Sequence, residues 1–227
     1  MKKILLGFMA IGLIAFVGCS VNKPSGATDI DGNTYKSVII GEQEWMSENL
    51  NVGHFRNGDT IQEANTIEEW IEAVKNKQPA WCYYDNNPSN GEKYGKLYNW
   101  YAVSDSRFLA PDGWHVPTNA EQTLLIDYLG VNGHNGTEGK VLKATSGWTD
   151  KKGGTNGTDD YGWSGVPGGL CNPNGAFFEL GNEGYWWSSS QSNTRLFWPS
   201  LLSASHDHVG WYGGNMNYGF SVRCLRD

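Results

Sequence analysis

The sequence predicts an α+β domain, on three observations. Two segments carry capping signals followed by apolar residues at helical spacing. Strand-like segments stand near both ends, and the second half is rich in glycine turns with short aromatic stretches between them. The turn signal Asp29-Ile30-Asp31-Gly32-Asn33 precedes a strand-like run at 34–40, and 41–46 reads as a turn and a returning strand, so the domain is expected to open on a β-hairpin. Thr66 with Glu69 has the capping-box form. Ile67, Trp70, Ile71 and Val74 follow at helical spacing, which predicts a helix over about 67–76. Thr118 with Glu121 repeats the box. Leu124, Leu125, Tyr128 and Leu129 form the expected apolar face, and Gly130 is placed to end that helix with a left-handed cap. Beyond Gly130 come ordered loops, then an apolar/polar alternation at 218–225 expected of a half-buried strand.

The N-terminus says more about location than about chemistry. Lys2 and Lys3, an apolar run over 4–17 and a small residue, Gly18, are the parts of a secretory signal peptide. The run is shorter than the roughly 20 residues a spanning helix needs. Gly18-Cys19-Ser20 resembles the bacterial lipobox, with Phe16 where leucine is usual, which implies cleavage before Cys19 and lipidation of its thiol. The expected organisation is a signal peptide at 1–18, a lipidated tether at 19–28 and one folded domain at 29–227. Several acyl chains, at about 0.8 kcal/mol per buried methylene, would hold that domain at a bacterial membrane, the outer membrane being expected.

The chain of 227 residues has 17 Lys and Arg against 24 Asp and Glu, and loss of Lys2 and Lys3 with the leader leaves 15 against 24, a net of −9. That balance argues against nucleic acid, whose phosphates require clustered cations, and against ionic attachment to an anionic membrane. With Cys19 lipidated, Cys82, Cys171 and Cys224 remain. One bridge and one free thiol is the simplest arithmetic in an oxidising compartment, and spacing alone does not choose the pair.

No catalytic set, metal set or cofactor motif assembles in the sequence. Asp150, Asp159 and Asp160 fall in glycine-rich loops, and Ser189 and Ser190 lack an elbow motif. His206-Asp207-His208 would need a third ligand to hold a metal and reads as a polar hairpin turn between 197–202 and 209–212. The oxygen-rich 29–33 and 85–90 segments do not match a calcium-binding EF-hand loop. The remaining signal is aromatic. Trp163, Trp187, Trp211 and Tyr212, among Gly, Asn and Ser, would suit a sugar face or a protein surface if exposed, and would build the core if not. Of the neighbours Trp186 and Trp187, one is expected to be buried and the other less so.

Five stretches resemble one known family: residues 95–103 (GKLYNWYAV), 110–118 (APDGWHVPT), Pro167-Gly168-Gly169, Trp187-Ser188-Ser189 and 219–224 (GFSVRC). Together they resemble the Fibrobacter succinogenes major paralogous domain over 29–227, a family of secreted proteins and lipoproteins. A more distant similarity links Trp114-His115-Val116-Pro117-Thr118 with Glu121, and Gly219-Phe220 with Arg223, to formylglycine-generating sulfatase-modifying proteins. That similarity implies a C-type-lectin-like domain with two main helices, short antiparallel strands and long ordered loops. It implies no sulfatase-modifying activity, because 198–218 lacks the paired cysteines. The family resemblance implies a Cys82–Cys224 disulfide with Cys171 free. The expected role is a lipid-anchored, non-catalytic module for a glycan or a protein partner, with a structural component of the envelope as the alternative and an envelope enzyme behind both.

Overall fold

The computed structural model describes residues 23–149, 154–190 and 200–227. Cys19 and the leader, Asp150 and Trp198 lie outside the described residues. The architecture is mixed helix and sheet. Strands Ser37–Ile40 and Gln43–Met46 form the expected hairpin, with Val38 opposite Trp45. Leu225 pairs on both sides, with Trp45 and with His115, so the last strand closes a four-stranded antiparallel sheet between the chain's two ends. The predicted 34–40 strand is broken at Lys36. Its first part, Thr34–Tyr35, turns away to pair with Ala27–Thr28. The domain therefore begins inside the expected tether: Gly26 N–H donates to Ser37 Oγ at 2.9 Å, and Ser25 N–H to Glu44 Oε1 at 2.6 Å.

The two longest helices are Ile67–Lys75 and Asn119–Leu129. Thr66 caps the first as predicted, but the Glu69 carboxylate reaches back to the amide of Asn65 and not of Thr66. The second has the full reciprocal box of Thr118 and Glu121. Its buried face is Gln122, Leu125 and Leu129, while Leu124 points outward. Gly130 is right-handed, contrary to the expected cap; the chain runs on through a wider turn to Gly133, whose φ of 96° is the left-handed one. Shorter helices at Gly91–Tyr94, Trp100–Val103 and Glu138–Leu142 carry no comparable sequence signal. Asn99 starts the middle one by accepting the amide of Ala102 at 3.0 Å.

Two further sheets complete the domain. Gln62–Glu63 runs parallel to Ala80–Cys82, which pairs antiparallel with Leu97–Tyr98. A five-stranded sheet is ordered Phe177–Leu180, Gly168–Cys171, Glu183–Trp186, Ser200–Ser203, Gly210–Trp211. The alternating 218–225 segment is not one long strand. It forms single bridges, Cys171 to Gly219, Tyr98 to Phe220 and Trp186 to Ser221, and so stitches the sheets together. Phe220, Val222 and Cys224 enter the largest core cluster, and the polar residues between them, Ser221 and Arg223, are buried as well. The alternation is therefore of two buried faces, one apolar and one hydrogen-bonded.

Candidate functional site

The aromatic residues proposed to meet a ligand separate sharply. Of the ten described tryptophans nine are buried, and only Trp211 is exposed, at 39 %. Trp163 and Trp187 are therefore corrected from ligand contacts to core. Trp163 packs edge-on to Trp186 at 5.0 Å and to Trp45 at 6.5 Å. Trp187 lies 4.7 Å from Phe220 and donates its indole N–H to the Tyr98 carbonyl at 2.7 Å. Trp186 and Trp187 do face opposite ways, but each face is covered by its own core cluster, so neither reaches solvent. Tyr212 is half-buried, its ring against Tyr185 at 5.1 Å. Trp211 and Tyr212 thus remain at the surface without forming a flat aromatic platform.

The disulfide implied by the resemblance is also corrected. Cys82, Cys171 and Cys224 are all buried thiols, and Cys82 and Cys224 lie in separate core clusters. The thiol beside Cys82 is that of Cys171.

In the oxygen-rich 29–33 segment the Asp29 carboxylate is already engaged by nearby backbone and side chains. Asp29 accepts the amides of Asp31 and Asn33, the Asn33 side chain and the Tyr35 hydroxyl. The imidazoles of His206 and His208 do share one side, 5.1 Å apart, in the predicted hairpin turn. Beneath that turn lies Lys143, fully buried, its ammonium donating to the carbonyls of Ser203 and His206 at 2.9 and 3.0 Å. A fixed cation there opposes a second one. Among the described residues no group of three His, Cys, Asp or Glu side chains could hold a metal ion.

His115, in the 110–118 motif, is held between two carboxylates. Asp227 Oδ1 lies 2.7 Å from Nδ1, and Glu121 Oε1 lies 3.0 Å from Nε2. Ser189 lines the same hollow, but neither imidazole nitrogen is left to take its proton. Burial raises the Glu121 carboxyl, but the Thr118 amide and hydroxyl and His115 outweigh it and hold that carboxyl below its ordinary range. Glu44 is lowered too, against its burial, by Ser25, Ser37 and Arg226. Carboxyls depressed on folding stabilise fully above their unfolded values, and that stability is lost as pH falls through the folded ones. Thermal melts between about pH 6 and pH 3 are therefore expected to show a shallower acid limb for Glu121→Gln than for the parent, the glutamine keeping the cap but not the charge.

The most distinctive site is a polar cleft of about 600 Å³ between the first turn, the segment after Gln43–Met46, and the Gly91–Tyr94 helix. Arg223 forms part of its wall, only 1 % exposed. Its guanidinium lies 3.9 Å over the Trp163 ring, and Nη2 donates to Asn49 Oδ1 at 2.8 Å; Nη1 donates to the Trp163 carbonyl. Among the described residues no carboxylate comes within ion-pair distance of Arg223, and none accepts a hydrogen bond from its Nε–H. Burial pulls its pKa down to about 9, with Glu48 and Asp159 opposing from a distance. A second lining residue, Asn51, buries its Oδ1 equally without a donor. Buried polar atoms are nearly always paired, and here two orphans of opposite type meet on a polar cleft; a second such pair, Gln122 Oε1 and Trp163 Nε1, lines a small apolar cavity. The rim carries Lys36 and Lys93 against Glu48 and Glu92, and with Arg223 the cleft is positive by one charge.

Asn49 organises this site and was not singled out by sequence reasoning. Its amide donates to the Tyr94 carbonyl and Ser221 Oγ, while its Oδ1 accepts from Arg223 and from the Trp186 indole at 2.8 Å. Nothing in the run around Asn49 signals this. Arg223 falls in the 219–224 motif, but the alternation puts it at a polar step, where a solvated side chain is expected.

Among the described residues no helix is long and apolar enough to cross a membrane. No curated protein and no solved structure matches the chain significantly. The sequence model of the Fibrobacter succinogenes major domain matches residues 38–226. That span takes in the opening hairpin, the Asn49–Arg223 cleft and the closing strand, and the chain belongs to the Fibrobacter succinogenes major domain family.

Proposed function

We propose that this chain is a lipid-anchored, non-catalytic binding module of the bacterial cell envelope, and that its cleft over Arg223 seats a saccharide bearing a carboxylate. The observation that carries this reading is the buried, uncompensated guanidinium on a polar cleft that also holds an unpaired amide oxygen. A carboxylate supplies the missing countercharge, which a neutral sugar does not. Hydroxyls match the unpaired acceptor and the rim. With a net charge of −9 on the mature chain, a long polyanion would be repelled, so one or a few acidic residues fit better than a continuous acidic polymer. Attachment through Cys19, at the outer membrane, and a C-type-lectin-like chain path belong to the same reading and rest on the sequence resemblances.

Calorimetric titration of the lipid-free mature chain with short galacturonate oligomers, with the matching neutral galactose oligomers and with inorganic phosphate tests the site. Galacturonate binding is expected to weaken at least tenfold in the Lys36→Glu, Lys93→Glu double variant and with added salt, and to be unchanged in Trp211→Ala. Equal affinity for neutral and acidic oligomers, or binding lost in Trp211→Ala alone, would reject it. For the anchor, Cys19→Ser is expected to move the chain from the membrane fraction to the soluble one. The burial of nine of the ten described tryptophans favours a second reading, a structural envelope component whose aromatics only pack the fold. No binding to any of the three probes would support it.

A further inference from the structure

Two buried thiols take no part in the cleft. Cys82 ends the strand Ala80–Cys82 and Cys171 ends the strand Gly168–Cys171, in different sheets and far apart in sequence. Both are essentially inaccessible, at 1 % and 0 % exposure, inside a small cluster completed by Ala64, Trp70, Val74, Tyr84 and Leu97. Within that cluster burial, and then the Cys171 side chain, push the Cys82 thiol up. Cys171 has one other polar neighbour there, the Asn172 carbonyl at 3.6 Å from its sulfur. Gly219, which bridges Cys171, leaves that side chain its room: a Cβ at Gly219 would lie 3.1 Å from the Cys171 Cβ and 2.8 Å from the Trp70 ring. Cys224 is elsewhere, in the cluster of Tyr35, Met46 and Tyr98.

We propose that Cys82 and Cys171 close a disulfide when the chain folds in an oxidising compartment, and that Cys224 remains a thiol. The oxidant is an exposed disulfide, R–S–S–R, of a small thiol or of a thiol–disulfide oxidoreductase. One cysteine thiolate attacks it, forming a mixed disulfide and releasing RS⁻; the second thiolate then attacks the protein sulfur of that bond and releases another RS⁻. Two electrons pass to the oxidant, and the two cysteine protons go to water or to the released thiolates. Both cysteines are buried in the folded chain, so exchange occurs before the cluster closes. Afterwards the bond is shielded from an attacking thiolate, and burial, which pushes the Cys82 thiol up, makes its sulfur a poor leaving group. The bond would join the three-stranded sheet to the five-stranded one, across a loop long enough for a large effect on the unfolded chain.

The test does not depend on export or on the cleft. Full-length chain carrying Cys19→Ser is reduced, denatured and refolded in a mixture of oxidised and reduced glutathione, then blocked with an alkylating reagent in denaturant and digested without reductant. The expected map shows the Cys82 and Cys171 peptides linked and Cys224 alkylated. Alkylated Cys82 and Cys171, or a link from either to Cys224, would overturn the proposal. The oxidised chain is expected to melt on the order of 10 °C above the same chain refolded with reductant. Cys171→Ser is expected to lose that dependence on reductant and Cys224→Ser to keep it. The opposite pattern would also overturn the assignment.

Discussion

Asn49→Ala is expected to destabilise the fold by about 3–5 kcal/mol, measured by denaturant unfolding with an unchanged slope. The size follows from what the amide holds. Among the described residues its Oδ1 is the one side-chain acceptor for the buried Arg223 guanidinium, and it also receives the Trp186 indole N–H, both at 2.8 Å. Removing it strands an indole donor and a cation that meets the cleft over only 1 % of its surface, and each stranded group costs most of its desolvation. The Nδ2 contacts to Tyr94 and Ser221 are lost as well. Asn49→Asp is expected to lose less than the alanine variant, because a carboxylate keeps both acceptor contacts and sets a countercharge against the guanidinium. It should nonetheless abolish galacturonate binding, since the charge that attracts the ligand is then neutralised within the protein. An alanine variant within 1 kcal/mol of the parent would show that the Arg223 cation is held by the backbone carbonyls alone.

Trp187→Ala is expected to cost about 4–5 kcal/mol, near the upper end for a core tryptophan. The ring is fully buried, 5.5 Å from Trp100 and 4.7 Å from Phe220, and its N–H satisfies the Tyr98 carbonyl at the bridge to Phe220. The substitution therefore opens a cavity and removes one of the two hydrogen bonds to the Tyr98 carbonyl, which keeps the Phe220 amide at 3.1 Å. Trp211→Ala supplies the contrast: that ring is 39 % exposed on an edge strand, and a loss of about 1 kcal/mol or less is expected. Parallel thermal melts of the two variants separate a tryptophan that builds the fold from one at its surface. Similar losses in both would contradict the division between core and surface rings.

That division is where sequence reasoning stopped. The capping boxes at Thr66 and Thr118 located both longer helices, because a cap is decided by residues within one turn. The opening hairpin and the His206–His208 turn were legible for the same reason: alternation and turn residues act locally. Gly130 shows the limit of such signals, since a glycine can take a left-handed cap but here the turn continues to Gly133 instead. Similarly, Ile67 and Ile71 have helical spacing yet stay exposed at 47 % and 41 %, because only Trp70, Ala73 and Val74 find a partner surface.

The sequence by itself determined the mixed class, the position of the longer helices, the hairpin at the start and the family, all of which depend on short-range patterns or on motif order. Tertiary structure alone decided which aromatics are interior, that Cys82 lies beside Cys171 and apart from Cys224, and that Asn49 meets Arg223 across 174 positions. Those outcomes depend on how the sheets are layered. An alternating strand has the same pattern whether its polar face meets water or a buried amide, so only the packing of 219–224 against Asn49 and Trp163 separates a solvated arginine from a buried, unpaired cation.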